Sequence, residues 1–500
     1  MTVINRSMFP LTTGINNITS MKQRFDKLQV QLATGDKAAT LAEMGSDRYF
    51  DLALRQRISR IDSFKENIQT VNLRLSVLDD VISRLDTIEA DARAVTMAGS
   101  GGQDALNLET APTLAASRLD EVLTLLNSDI AGRYMFGGSK TEAKPVEAPY
   151  AILNGAGTRA GLHQLVGERR QADLGTAQMG RLTVGATAGA VSLAEDGVHP
   201  FGMKLGSITT TSSNITVSAP SGSPPAVGVT FGATLPVAGE MVTVELSLPD
   251  GTQSSVTLTA SNEGTEPGSF LIGADADATA TAFAAALTDS LGSLAKGEMT
   301  TASAYAASDN FFFGQGDKPM RVDGPPFDTA TALVEGTAAN TVMWYVGADS
   351  DNPRQAVTAK VGEGTTVAYG VQATEGGIVD LVRALGAMAV QSFPEADPTS
   401  IERYKAMVTR NTERLAETAA STSGSIEVIA IELGLAQSTA GTIDDRHIAH
   451  RAQLDNMLKE IEGAPVEEVA MELLALKTRL EASYQTVSLL SQLSLVNYLK

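Results

Sequence analysis

Residues 58–85, ISRIDSFKENIQTVNLRLSVLDDVISRL, decide how this chain is read. Ile58, Ile61, Ile68, Val71, Leu75, Leu78, Ile82 and Leu85 recur at spacings of three and four. The one gap is Lys65, where Phe64 stands beside it. This is the period of a helix with a single apolar stripe, and the run is too long for a strand. Toward the N-terminus, Ile18, Met21, Phe25, Leu28 and Leu32 form a second seam of the same kind. It stops at Gly35, a residue suited to a helix C-cap. On the other side, Gly99-Ser-Gly-Gly102 breaks the chain. A third helix is predicted through Leu119, Val122, Leu126 and Ile130, with Gly132 ending or bending it.

The far end of the chain mirrors this pattern. Ile401, Tyr404 and Val408 begin a seam that weakens through Asn411, Leu415 and Thr418. Ile426, Ile429 and Leu433 make a short stripe, followed by a long helical stretch through Leu454, Leu458 and Ile461. Gly463-Ala-Pro465 is a break. The last helix carries Val466, Val469, Leu473, Leu476, Leu480 and Val487, then Leu490, Leu493, Val496 and Leu499. Such stripes ordinarily form the core of a bundle. Seams at both extremes of 500 residues need partners, which are either each other or other subunits.

The middle has another texture. Residues 151–370 hold 10 Lys+Arg and 21 Asp+Glu, so most of the 96 charges lie outside them. Val242, Val244, Leu246 and Leu248 alternate, Pro249-Asp250-Gly251 supplies turn chemistry, and Val256 and Leu258 return, which predicts a hairpin. A second hairpin is predicted with Gln355, Val357, Ala359 and Val361 on one arm and Thr365, Val367, Tyr369 and Val371 on the other. Ala276 to Leu294, with Phe283 and Leu287 on one stripe, reads as a helix on the sheet. Residues 207–228, rich in Ser, Thr, Gly and Pro, read as a loop or linker. The fold class expected is α+β: long terminal helices forming a coiled-coil or helical rod, with a β-rich central insert forming an outer domain.

Composition narrows the function. The chain carries 38 Lys+Arg against 58 Asp+Glu, a formal charge of −20 that disfavours nucleic acid and anionic membranes. It has no cysteine, so disulfides, thiolate zinc sites and cysteine nucleophiles are excluded. No run of about 18 consecutive apolar residues occurs, which predicts no membrane span. The first twenty residues lack the basic and apolar regions of a cleavable signal peptide.

Sequence patterns for chemistry are nearly absent. There is no GxxxxGK[ST], GxSxG or HExxH pattern, and Gly155-Ala-Gly157-Thr-Arg-Ala-Gly161 misses the dinucleotide spacing by one residue. His447 and His450 share a helix face beside Asp444 and Asp445. No third ligand stands at a useful offset, and Arg446 and Arg451 oppose a cation, so the sequence reads as a solvated face. An enzyme is not expected, and neither cofactor nor metal is expected. The segment 181–330 contains a single histidine, His199.

The layout resembles the flagellin superfamily, whose helical ends flank a variable centre. Within it, Asn127 to Lys144, NSDIAGRYMFGGSKTEAK, is similar to the segment after the third helix in the hook–filament junction family (hook-associated protein 3). The ending from Tyr484 to Lys500 resembles that family's Leu-rich final helix, and Trp344 to Ala373 resembles alphaproteobacterial members. The resemblance covers roughly residues 1–145 and 375–500. It implies a structural protein exported unfolded by the flagellar type III system, without a cleavable signal, to an extracellular flagellum. Partners implied are further copies in a ring or helical assembly, a neighbouring hook-associated protein, flagellin and an export chaperone, with no nucleic acid or membrane.

On this reading 1–34 with 466–500 form the assembly coiled coil. Residues 35–180 with 331–465 form a helical rod domain with β-hairpins, and 181–330 a β-rich outer domain. The terminal helices are expected to stay largely disordered until assembly orders them. The interface residues expected are Ile18, Met21, Phe25, Leu28, Leu32, Leu473, Leu476, Leu480, Val487, Leu490, Leu493 and Val496. The rivals are a filament flagellin and, further off, a surface adhesin with 181–330 as its binding module.

Overall fold

A computed structural model describes the backbone of residues 9–99, 108, 110–416 and 424–498, and the side chains of these other than 9–11, 95–99 and 490–498. Its helices begin with α1 (Phe9–Thr34), α2 (Arg48–Gly99), α3 (Thr110–Leu125), α4 (Pro149–Asn154), α5 (Leu162–Leu174) and α6 (Ala276–Lys296). There follow α7 (Glu298–Phe311), α8 (Pro353–Ala356), α9 (Gly376–Ala389), α10 (Ser400–Arg414), α11 (Ile426–Glu462) and α12 (Val466–Tyr498). Strands run β1 (Asp129–Ile130), β2 (Arg133–Tyr134), β3 (Leu182–Thr187), β4 (Ala190–Glu195), β5 (Lys204–Thr210), β6 (Ile215–Val217) and β7 (Ala226–Phe231). The rest are β8 (Met241–Ser247), β9 (Gln253–Ser261), β10 (Ser269–Leu271), β11 (Met320–Val322), β12 (Leu333–Glu335), β13 (Thr358–Lys360) and β14 (Thr366–Ala368). The fold is α+β. Contacts divide it into a helical unit (1–71, 360–366 and 439–500) and a mixed unit (72–359 and 367–438).

The helical unit consists of α1, the first half of α2, the second half of α11, α12 and the turn between β13 and β14. Gly35 ends α1 as expected: its φ of +77 suits glycine, and its N–H donates to the Gln31 carbonyl at 2.9 Å. Leu54, Ile61 and Leu454 are buried where α2 meets α11, with Ile58, Leu458 and Ile461 packed around them. Phe64 covers the gap at Lys65, its ring stacked on His447 at 5.6 Å. Asp62 pairs with Arg451 at 2.8 Å across the same two helices.

In the mixed unit, two four-stranded sheets have the orders β10-β9-β8-β5 and β3-β4-β7-β6. The first hairpin stands as expected, with Val242 opposite Leu258 and Val244 opposite Val256. Gly251 takes a φ of +84 in its turn, and the Asp250 side chain beside it is fully buried against Arg410 of α10. Burial alone would raise the Asp250 carboxyl, but Arg410 and Thr252 overcome this and hold it below the usual carboxylate range. Helix α6 lies on both sheets, and Phe231, Phe270 and Phe283 meet edge to face with centroids 5.1–6.0 Å apart. Helix α9 packs on α3 and α7, with Ile378, Leu381, Val382 and Leu385 sealed from solvent.

Several expectations are corrected. Residues 207–228 are not a linker: β6 and parts of β5 and β7 run through them, with Ile208, Ile215 and Val227 turned inward. Most of their hydroxyl side chains are exposed, where a strand needs no apolar residue, while Ser212 is buried and accepts from the Asn214 N–H at 3.1 Å. The third helix ends at Leu125, and Ile130 lies in a tight β1–β2 hairpin whose turn residues Ala131 and Gly132 both have positive φ. The second predicted hairpin is only three residues per arm, because Asn352 caps Pro353–Ala356 into a helical turn. The stripes at Ile426 and Leu454 belong to one continuous α11. Thr418 lies outside the described residues. Helix α11 also contains an 18-residue stretch long and apolar enough, by length and composition alone, to cross a membrane. It is not an uninterrupted apolar run, because a few polar residues are spread through it.

Candidate assembly interface

Helix α1 and helix α12 lie side by side in the helical unit and run antiparallel. Arg24 pairs with Glu472, Gly14 lies against Val487, and the Ala464 N–H donates to the Gly35 carbonyl at 2.8 Å. The reason is local. Gly35 and the Gly463-Ala-Pro465 break end the helices on either side, and Asp36 and Gly463 form an antiparallel bridge that holds the two breaks together. The Lys37 N–H closes it by donating to the Glu462 carbonyl at 2.6 Å.

From that clamp the seam follows the predicted spacing. On α1, Ile18, Met21 and Phe25 are half-buried and Leu28 is buried. On α12, Val469, Leu476 and Leu480 are buried, and half-buried Leu473, Ser483 and Val487 continue the row at spacings of three and four. Ser483 makes the seam polar between Leu480 and Val487. Leu32 lies outside the contact that α1 makes with α12. It is 39% exposed, and half-buried Gln31 turns inward instead, donating to the Lys37 carbonyl at 2.6 Å. The side chains of Leu490, Leu493 and Val496 lie outside the described residues.

The pair covers only one side of each helix. Met471 and Leu474, at 64% and 63% exposed, stand on α12 outside the seam, as do exposed Tyr484 and Leu489. At the start of α2, Tyr49 is 75% and Phe50 59% exposed, their rings edge to face at 5.7 Å. Exposed apolar side chains also occur on the mixed unit, with Tyr150, Val198, Ile431 and Leu435 among them. The period of the seam does not pick out Met471 and Leu474, which fall between its positions.

Charge is divided just as unevenly. The helical unit holds 17 Lys+Arg and 17 Asp+Glu of the totals of 38 and 58, leaving 21 against 41 in the mixed unit. The entire net charge of −20 belongs to the mixed unit.

The other candidate sites resolve into structure. His447 is not a solvated residue: its Nε2–H donates to the Val361 carbonyl at 2.7 Å, holding the β13–β14 turn to α11. Gly155 and Gly161 lie between α4 and α5, where a Cβ on Gly161 would collide with the Gly155 backbone nitrogen. Close packing explains those glycines, and no strand directly precedes them. The Gly-Arg-Tyr-Met-Phe-Gly-Gly motif runs through β2 into a strap, where Phe136 is buried and the Gly138 N–H donates to the Val371 carbonyl at 3.1 Å. Among the described residues, no group of three or more His, Asp or Glu is placed to hold a metal ion.

No family model matches the chain, and no curated protein matches it. Among solved structures it is similar to flagellar hook associated protein-3 from Legionella pneumophila, with 15% identity over 85% of this chain and 98% of that one. The TM-score is 0.26, too loose a superposition to establish a shared arrangement. Nothing in these comparisons supports the alphaproteobacterial type.

Proposed function

We propose that this chain is a structural subunit of the bacterial flagellum that joins hook to filament, and that it assembles through its helical unit. The observation that carries the reading is the division of charge between the two units. The helical unit is neutral and exposes Tyr49, Phe50, Met471, Leu474, Tyr484 and Leu489, while the mixed unit bears the whole charge of −20. Copies therefore gain by apolar contact at one unit and repel at the other, so the charged units stay apart. The likeness of NSDIAGRYMFGGSKTEAK and of the final helix to the junction family supplies the flagellar identity.

On this reading residues 1–34 and 466–500 make the coiled-coil core of a ring or helical rod, through Ile18, Met21, Phe25, Leu28, Leu32, Leu473, Leu476, Leu480, Val487, Leu490, Leu493 and Val496. Residues 35–180 with 331–465 contact neighbouring hook-associated protein and flagellin, and 181–330 points outward. The chain catalyses nothing and travels through the type III channel with an export chaperone.

Electron microscopy of a strain lacking the gene, with its medium probed for flagellin, tests this. Bare hooks and unpolymerised flagellin in the medium are expected. Absent filaments without spilled flagellin would favour a filament subunit, and normally attached filaments would overturn the flagellar reading.

A further inference from the structure

The helical unit carries a concave surface apart from the α1/α12 seam. This cavity of about 610 Å³ is walled by Gln56, Arg57 and Arg60 of α2, Glu363 of the β13–β14 turn, and His450 of α11. Phe64 and Ile61 also line it, and His447 is immobilised against Phe64 by its bond to Val361. Arg60 is paired with Glu363, the single carboxylate in the lining. Arg57 and His450 are exposed and have no ion pair or hydrogen bond among the described residues. A chain with 20 excess negative charges thus presents a groove in which Arg57 is a guanidinium with no carboxylate partner among the described residues, beside the Arg60–Glu363 pair and over a partly apolar lining.

We propose that this groove docks an acidic, partly apolar segment of the mixed unit of a second copy of this chain. The inference rests on the assembly reading above and names the partner surface. Complementarity selects the occupant: the mixed unit has 41 carboxylates to 21 cations, whereas the helical unit, at 17 to 17, offers no surplus to attract. Nucleic acid is disfavoured, because the chain as a whole repels a polyanion. Docking of this kind sets the register between copies, since a mixed unit placed against another mixed unit is repelled while one placed at this groove is not.

The test uses the full-length chain with a photo-crosslinking residue at Gln56, mixed with an isotopically heavy second copy under conditions of self-association. Mass spectrometry then maps the links between copies. Links into residues 72–359 or 367–438 of the heavy copy are expected, and should fall about tenfold in the doubly substituted Arg57→Glu, His450→Glu chain. Both positions are exposed, and circular dichroism checks that the variant folds. Links confined to the helical unit of the heavy copy, or none while the copies still polymerise, would overturn this docking and leave the assembly reading standing. Absence of self-association in sedimentation would overturn both.

Discussion

The two units bury apolar residues in opposite styles. In the mixed unit, Phe270, Phe283, Leu287, Leu291, Val242 and Leu246 are sealed between sheets and α6. In the helical unit the best-covered seam residues, Leu28, Val469, Leu476 and Leu480, retain 5–8% exposure, and their neighbours are only half-buried. A sheet-and-helix core encloses a side chain from several directions, whereas two paired helices cover each other along one stripe. The first unit closes its core within a single chain, although Tyr150, Val198, Ile431 and Leu435 stand exposed on it. The second has a thinner core, and burying one of its large exposed apolar side chains against a partner would gain about 1.5–3 kcal/mol.

The largest expected effect falls on the complete unit. Phe283→Ala empties the centre of the three-phenylalanine cluster and should cost about 3–5 kcal/mol. Calorimetry should show the transition of the mixed unit moving down while that of the helical unit stays. A single transition moved as a whole would break the two-unit comparison.

A smaller effect is expected in the incomplete unit. Leu476→Ala removes a seam residue from a two-helix contact and should cost about 2 kcal/mol, the lower end for a buried leucine. Amide exchange in a monomer should accelerate along α1 and α12 and remain unchanged in β8 and β9. The resemblance expects these terminal helices to be disordered before assembly, while the single chain already holds them as a pair. Free exchange of α1 and α12 amides in the unsubstituted monomer would side with the resemblance and sharpen the contrast between the units.

The smallest effect is electrostatic. Burial first, then Glu427 and Asp86, push the Glu89 carboxyl up to about 7, with Arg93 opposing them. A carboxyl that binds its proton more tightly when folded favours the folded state at acid pH. That contribution is lost as pH rises from about 4.5 toward about 7. Glu89→Gln should therefore stabilise the mixed unit by about 1–2 kcal/mol at about pH 8 and change little at about pH 4. Equal melting shifts at both pH values would exclude the ionised carboxylate as the cause.

Much of the helical framework was legible in the sequence. The period of three and four placed α1, α2 and α12, and Gly35 and Gly463-Ala-Pro465 placed their ends, because helix periodicity and capping are local. The β8–β9 hairpin was legible for the same reason: alternation and Pro249-Asp250-Gly251 act within a few residues. The strands around 207–228 were hidden, since their Ser and Thr faces look like loop composition until a neighbouring strand is supplied. Helix α9 was hidden too, because Gly376, Gly377 and Gly386 punctuate its 14 residues in the way a loop would.

Sequence alone determined the seam residues, the charge of −20, the absence of cysteine and the junction-like motifs, all properties of order and composition. Tertiary structure decided that α1 pairs antiparallel with α12, that Leu32 turns outward, that His447 holds a turn and that Arg57 and His450 share a groove. Each of these depends on residues far apart in the chain meeting in space. Local periodicity says which face of a helix is apolar, and only packing says what meets it.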